Sequence, residues 1–391
     1  MVFYQEVIYI LGMLGAVRWL THFSLVIGLF LGLNSGLAAI EEPLTNLQNL
    51  LTADPKGLDI QTVIQVAALV AADGRYWPDS NTWELQDAGK SVLALPYDPT
   101  AVIDRLIAAN PQEAPLWLAQ ANLWWLAVNT IWLSEPQRQA AADRAIEAYK
   151  KSLQLGIDNA VIYERLGLLL LDRGDDQHSV GYLEAAYQRK PDNADIGYNL
   201  AYALYAQGQF GNALHHIQTV YDSSQLEPDQ QLNARLLYGD VLLAVGNPVA
   251  AATIYQKTVA AYPENLYPLR RLVECYLITN DELKLSQAIQ TYIARSATEP
   301  EAISRLSAVF TKYQQQNRFL AIAKDYRLSL VKTNPETAAA GAFIEAQMLA
   351  SLGQKLEALA RLVEGLGYLQ DQSEVSPLGL EMARFKTQLE R

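Results

Sequence analysis

Five prolines recur through the second half of this chain at nearly even intervals. Pro191, Pro228, Pro263, Pro300 and Pro335 are separated by 37, 35, 37 and 35 residues. Proline lacks a backbone N–H and its ring clashes with the carbonyl one turn back, so it is tolerated at a helix edge and not inside one. A regular series of such edges divides the chain into segments of one size, each with room for two helices and a turn. The turns read as Gly- or Asn-bearing breaks between amphipathic stretches: Arg173-Gly174-Asp175-Asp176, Gln207-Gly208-Gln209-Phe210, Val245-Gly246-Asn247-Pro248 and Leu352-Gly353-Gln354. Repetition at this period means an array of helical hairpins. None buries its apolar face alone, so each is stabilised by stacking on its neighbours.

Within the segments the same residue types return at the same places. One stretch runs Tyr163-x2-Leu166-Gly167, then Ser179-x3-Leu183, then Pro191; the clearest runs Arg235-x2-Tyr238-Gly239-x2-Leu242, Ala251-x3-Tyr255, Pro263. Others begin at Gly197, Leu269, Ser307 and Ala342, and a looser one at Trp117 continues through Ala145-x3-Tyr149. This pattern resembles the tetratricopeptide-repeat (TPR) family, whose unit of about 34 residues is a helix A–turn–helix B pair. The resemblance implies an all-α fold, a right-handed α-solenoid. Small residues at the Gly/Ala place let the two helices approach, while large ones fill the seam. The array is drawn over residues 114–375, about seven repeats, with a C-terminal capping helix over 376–391 opened by Ser376-Pro377. Residues 40–113 read as a helical region with one or two degenerate repeats, interrupted by the turn-rich Gly74-Arg75-Tyr76-Trp77-Pro78-Asp79.

Half the residues are apolar, which argues against disorder. The formal charge of −12 argues against a nucleic-acid partner, which needs a basic face. The single cysteine, Cys275, rules out an intramolecular disulfide and, from its place in a helical pattern, is expected to be a buried structural thiol.

Residues 1–39 have a different character. Arg18 precedes an apolar run from Phe23 to Leu33, followed by the small-residue exit Asn34-Ser35-Gly36-Leu37-Ala38-Ala39. That is the layout of a secretory signal, with Met13 as an alternative start. The stretch from Leu20 to Ile40 approaches the ~20 residues of a membrane span, so a retained anchor stays open beside cleavage. Either places the body outside the cytoplasm, in the periplasm or facing it.

No phosphate loop, H-E-x-x-H, G-x-S-x-G or Cys–His set is present, so the chain is not expected to be an enzyme. Asp172, Asp175, Asp176 and His178 gather at one inter-helix turn and offer a weak candidate site for a hard or borderline cation such as Mn2+; the plainer reading is a solvated acidic turn. The inner groove of helices A is where a TPR array binds. Its expected client-binding residues are Glu164, Tyr198, Asn199, Tyr202, Tyr205, Asn233, Asp240, Arg270, Arg271 and Glu274, with Arg165, Arg305 and Lys312 beside them. Tyr198, Tyr202 and Tyr205 follow i, i+4, i+7 spacing on one helix face, opposite a packing face of Gly197, Leu200, Ala201 and Leu204. Tyrosines supply broad contact area and a hydroxyl. The Lys and Asn of a chaperone-tail carboxylate clamp are missing at Glu164 and Leu168, and at Tyr198 and Tyr202.

The leader, a body made of repeats, the acidic balance and the lack of disulfides together resemble the processing-associated TPR proteins of cyanobacteria. That resemblance implies a periplasmic assembly factor of photosystem II that binds the D1 precursor and helps supply manganese. The alternatives are a membrane-anchored envelope scaffold serving outer-membrane or secretion machinery, and a metal-binding carrier.

Overall fold

A computed structural model describes residues 59–77, 82–87, 91–94, 98–130, 133–222, 226–296, 299–370 and 376–391. The leader therefore lies outside the described residues, as does the apolar run proposed as its core. No helix among the described residues is long and apolar enough to cross a membrane.

The chain divides into two units, residues 1–190 and 191–391. In the first, helix α1 (Ile60–Asp73) leads into strands β1 (Gly74–Trp77), β2 (Thr82–Asp87) and β3 (Ser91–Ala94). Helices α2 (Pro99–Ala109), α3 (Ala114–Val128), α4 (Glu135–Gln154), α5 (Ala160–Asp172) and α6 (Asp176–Arg189) follow. The strands form an antiparallel meander in the order β1-β2-β3, with Trp77 opposite Thr82 and Glu84 opposite Ala94. This small sheet is an addition to the helical class, and its first strand lies within the stretch expected to be turn-rich. Trp83 anchors it, 2% exposed, in a cluster with Val66, Val70, Ile103, Leu116 and Leu123.

The second unit is a TPR-type α-solenoid of five helix pairs and a capping helix. The pairs are α7 (Ala194–Ala206) with α8 (Phe210–Tyr221), α9 (Pro228–Ala244) with α10 (Pro248–Ala261), and α11 (Leu266–Thr279) with α12 (Glu282–Arg295). Then come α13 (Pro300–Lys312) with α14 (Gln316–Leu330) and α15 (Pro335–Ser351) with α16 (Lys355–Tyr368). Helix α13 departs from the pattern by packing mainly on α15 rather than on its own partner α14. Helix α17 (Pro377–Glu390) closes the array: Leu378 and Met382 are fully buried, and the Met382 methyl fills the space above Gly365.

The evenly spaced prolines serve two purposes. Pro228, Pro300 and Pro335 sit in the first turn of α9, α13 and α15, where no N–H is missed. Pro191 and Pro263 lie in turns just before Asn193 and Asn265, whose side chains cap α7 and α11. The seam works through size complementarity. A Cβ on Gly167 would come within 2.5 Å of the Leu183 side chain, and one on Gly239 within 2.5 Å of the Tyr255 ring. Only glycine lets α9 lie this close to α10.

Every A-to-B turn from α5 to α16 contains one left-handed residue: Gly174, Gly208, Gly246, Asn280, Gln314 and Gly353, with φ between 56° and 80°. Space around Gly246 is open, so alanine there meets only the backbone penalty. Gly246→Ala is expected to cost about 1 kcal/mol, measured as a shift of the urea midpoint with an unchanged slope.

Candidate protein-binding face

Helix α7 buries Ile196, Gly197, Leu200, Ala201 and Leu204, so its opposite side carries Tyr198, Tyr202 and Tyr205, each half-buried. Burial raises the pKa of Tyr198 and Tyr205 well above the ordinary phenol value, with the Tyr202 phenol and the Asp240 charge adding to it. These phenols stay protonated, and their hydroxyls remain hydrogen-bond donors. The Tyr205 ring packs 5.6 Å from Phe210.

The charged residues expected in the groove are gathered by the fold into one network. Asp240 on α9 accepts from Tyr255 Oη at 2.5 Å, Tyr267 Oη at 2.6 Å and Arg271 Nε at 2.7 Å. Arg271 also pairs with Glu274 one turn on, and Glu274 Oε1 accepts from Lys312 Nζ at 2.8 Å and Tyr313 Oη at 2.6 Å. Asp240, Arg271 and Glu274 are all buried. Their side chains lie inside the packing of α9–α13, not on an open wall. Charges taken out of water persist when they are paired and hydrogen-bonded, and here each of the three has three partners. Burial works against the Glu274 charge, yet Arg271, with Lys312 and Tyr313, holds its carboxyl below the usual range.

Other groove candidates stay nearer the surface. Arg270 is half-buried with its guanidinium 5.2 Å from the Tyr267 ring centre. Asn199 and Asn233 are half-buried, Arg305 pairs with Glu301 at 3.2 Å, and Glu164, also half-buried, belongs to the first unit. Within the second unit the tyrosine stripe and the network adjoin: the Asp240 charge bears on Tyr198 and Tyr205, and Arg271 and Glu274 on Tyr205.

Tyr255, a seam residue of the repeat pattern, and Tyr267 were not among the expected binding residues, yet both hold Asp240, and Tyr255 completes a triangle that occurs twice. In the first unit Tyr149 Oη donates to Asn122 Oδ1 at 2.9 Å, and Arg165 Nη1 donates to Asn122 Oδ1 at 2.6 Å and to Tyr149 Oη at 3.0 Å. Asn122 and Asp240 each follow the small residue of helix A; Tyr149 and Tyr255 each stand four after the alanine of helix B. Arg165 and Arg271 each stand two before the small-position residue of the next helix A. The matched register was the available signal. A third buried ion site ties α14 to α15 and α16: Arg327, 1% exposed, donates Nε to Glu345 at 2.7 Å and Nη1 to Glu364 at 2.5 Å.

Of the four candidate metal ligands, Asp175 and His178 are engaged with each other. Asp175 caps α6, accepting from the His178 backbone N–H, and its carboxylate meets His178 Nδ1 at 2.8 Å. Asp176 sits in the first turn of α6, and Asp172 is exposed at the end of α5. Among the described residues no three acidic, histidine or cysteine side chains are grouped to hold a metal.

No protein-family model matches the chain, and no curated protein matches it. Among solved structures it is similar to the C-terminal part of a TPR repeat-containing protein from Cytophaga hutchinsonii. The identity is 13%, the match covers 68% of this chain and 93% of that one, and the TM-score is 0.43. A tetratricopeptide repeat protein from Parabacteroides merdae matches at 13% identity over 64% of this chain and 93% of its own, with a TM-score of 0.42. YrrB, described as a TPR protein with an unusual peptide-binding site, matches at 14% identity over 61% and 100%, with a TM-score of 0.33.

Proposed function

We propose that this protein is a TPR scaffold that holds a protein or peptide client against the A-helix face of its second unit. The observation that carries this reading is the stripe of Tyr198, Tyr202 and Tyr205 on the side of α7 left over from packing. Behind it, the charges of Asp240, Arg271 and Glu274 are already mutually satisfied. A stiff, charge-matched wall fronted by half-buried phenols spends little entropy on ordering itself when a partner arrives. Binding rather than catalysis fits the same groups: the phenols are held protonated and the buried carboxylates are engaged, so neither is poised as a base.

The setting is extracytoplasmic on the strength of the leader sequence, and the client is a membrane protein under assembly. The resemblance to the processing-associated TPR proteins makes the D1 precursor of photosystem II the first client to test. Manganese supply has no part in the proposal, because the candidate ligands serve a helix cap and an open turn.

The test is a crosslinked pull-down of the tagged protein from its native cells, run beside a Tyr198/Tyr202/Tyr205→Ala variant with an unchanged urea midpoint. The expected result is capture of photosystem II precursor subunits, reduced at least tenfold (about 1.4 kcal/mol or more) in the variant. Recovery of outer-membrane or secretion components would replace the assembly reading with the envelope-scaffold one. Equal capture by the variant would move the binding face away from α7.

A further inference from the structure

The repeated triangle is neutralised in one unit and not in the other. In the second unit Arg271 faces two carboxylates, Asp240 from the preceding helix A and Glu274 from its own. At the two matching places in the first unit, Arg165 meets Asn122 and Leu168. Its contacts are all neutral: Asn122 Oδ1, Tyr149 Oη and the Trp125 ring, whose centre lies 5.4 Å from the guanidinium carbon. No carboxylate among the described residues pairs with it. A guanidinium cannot shed its proton, so the half-buried Arg165 keeps a full charge that the fold leaves unmatched.

The donors around it are arranged to serve an outside acceptor. Arg165 uses Nη1 twice, and its Nε and Nη2 make no bond to a described residue. Asn122 spends Oδ1 on both Arg165 and Tyr149, which leaves its amide nitrogen as a second donor on the same helix face. Trp125 supports the arginine itself: its ring face attracts the guanidinium and helps hold it in place.

We propose that Arg165, Asn122 and Trp125 form a carboxylate-binding site in the first unit, which takes an acidic side chain or the terminal carboxylate of a bound protein segment. The assignment rests on the reading of the chain as a binder of protein segments, but not on the tyrosine face of the second unit. It also differs from the Lys–Asn clamp, whose residues are absent, because here the cation is an arginine whose own fold supplies neutral partners in place of a carboxylate.

The decisive experiment uses the full chain and three fluorescein-labelled peptides of one neutral sequence. The first has two internal glutamates and an amidated end, the second glutamines and a free terminal carboxylate, the third glutamines and an amidated end. Fluorescence anisotropy is expected to show a carboxylate-bearing probe binding roughly tenfold or more tighter than the neutral one, and which probe wins identifies the carboxylate as side-chain or terminal. Asn122→Asp installs the acid that the second unit already carries, so it is expected to abolish the preference while leaving the urea midpoint level or raised. Arg165→Gln is expected to abolish it as well. Tyr198/Tyr202/Tyr205→Ala should leave it intact, which separates failure of this site from failure of the α7 face. Equal affinity for all three probes would overturn the assignment, as would a preference that survives in folded Asn122→Asp or Arg165→Gln.

Discussion

Asp240→Ala is expected to destabilise the second unit by roughly 3–5 kcal/mol, the usual cost of removing one member of a buried ion pair. The carboxylate is the shared acceptor for Tyr255, Tyr267 and Arg271, so its loss leaves two tyrosine hydroxyls without their acceptor and Arg271 with Glu274 as its one carboxylate. The three donors come from α10 and α11, so the damage falls on the joint between neighbouring repeats. In an array whose stability is a sum of nearest-neighbour terms, such a joint opens locally before the rest unfolds.

Cys275 reports that opening. It is the chain's one thiol, it is fully buried on α11, and burial pushes its pKa up to about 12. Alkylation therefore waits on exposure, and in Asp240→Ala its rate is expected to rise by roughly two to four orders of magnitude. An unchanged rate and urea midpoint would show that the network contributes nothing to the joint. Acid should mimic the mutation in part. Because the folded-state pKa of Glu274 lies below the ordinary 4.5, its pairing adds stability above that pH and loses it as pH falls through the lowered value.

Arg327→Met is expected to cost a similar ~3–5 kcal/mol at neutral pH, with the opposite response to acid. Arg327 is almost fully buried, and its guanidinium holds Glu345 on α15 and Glu364 on α16 while Tyr368 Oη accepts a further bond at 2.8 Å. Burial already raises the pKa of Glu345 against the pull of Arg327 and Arg361. Without Arg327 the Glu345 carboxylate would be buried with Arg361 as its remaining cation, and its pKa would climb further. A carboxyl with a raised folded pKa favours the folded state when protonated and loses that advantage as pH rises through the folded value. The variant should therefore recover part of its stability as pH falls from 7 towards 5. Urea midpoints across that range test this, and a deficit that stays constant with pH would show that lost packing, not the stranded charge, sets the cost.

The helical hairpins were legible because each rests on a local rule. A proline or Asn at a helix start, a small residue facing a large one across the seam and a glycine at most of the turns act over a few residues or one repeat. Even Asn280 and Gln314 take the left-handed turn conformation that glycine holds elsewhere, because the repeat imposes the geometry. The β-meander was less visible, although Thr82-Trp83-Glu84-Leu85-Gln86 does alternate polar and apolar residues, because the glycine, proline and asparagine around it read as turns.

The status of the charged residues was legible only as a matched register, which does not say whether the charges are paired. Periodicity correctly places Asp240, Arg271 and Glu274 on the A helices beside the tyrosines of α7. Whether such a side chain meets water or a partner depends on the neighbouring helices, and the partners are Tyr255, Tyr267, Lys312 and Tyr313, from 15 to 39 residues away. Sequence by itself determined that this chain is a stack of helical pairs and which residues share a face. The tertiary structure alone decided which of those faces is closed by its own charges and which, at Arg165, is left with a cation to satisfy, because compensation is set by distances between helices that no single period records.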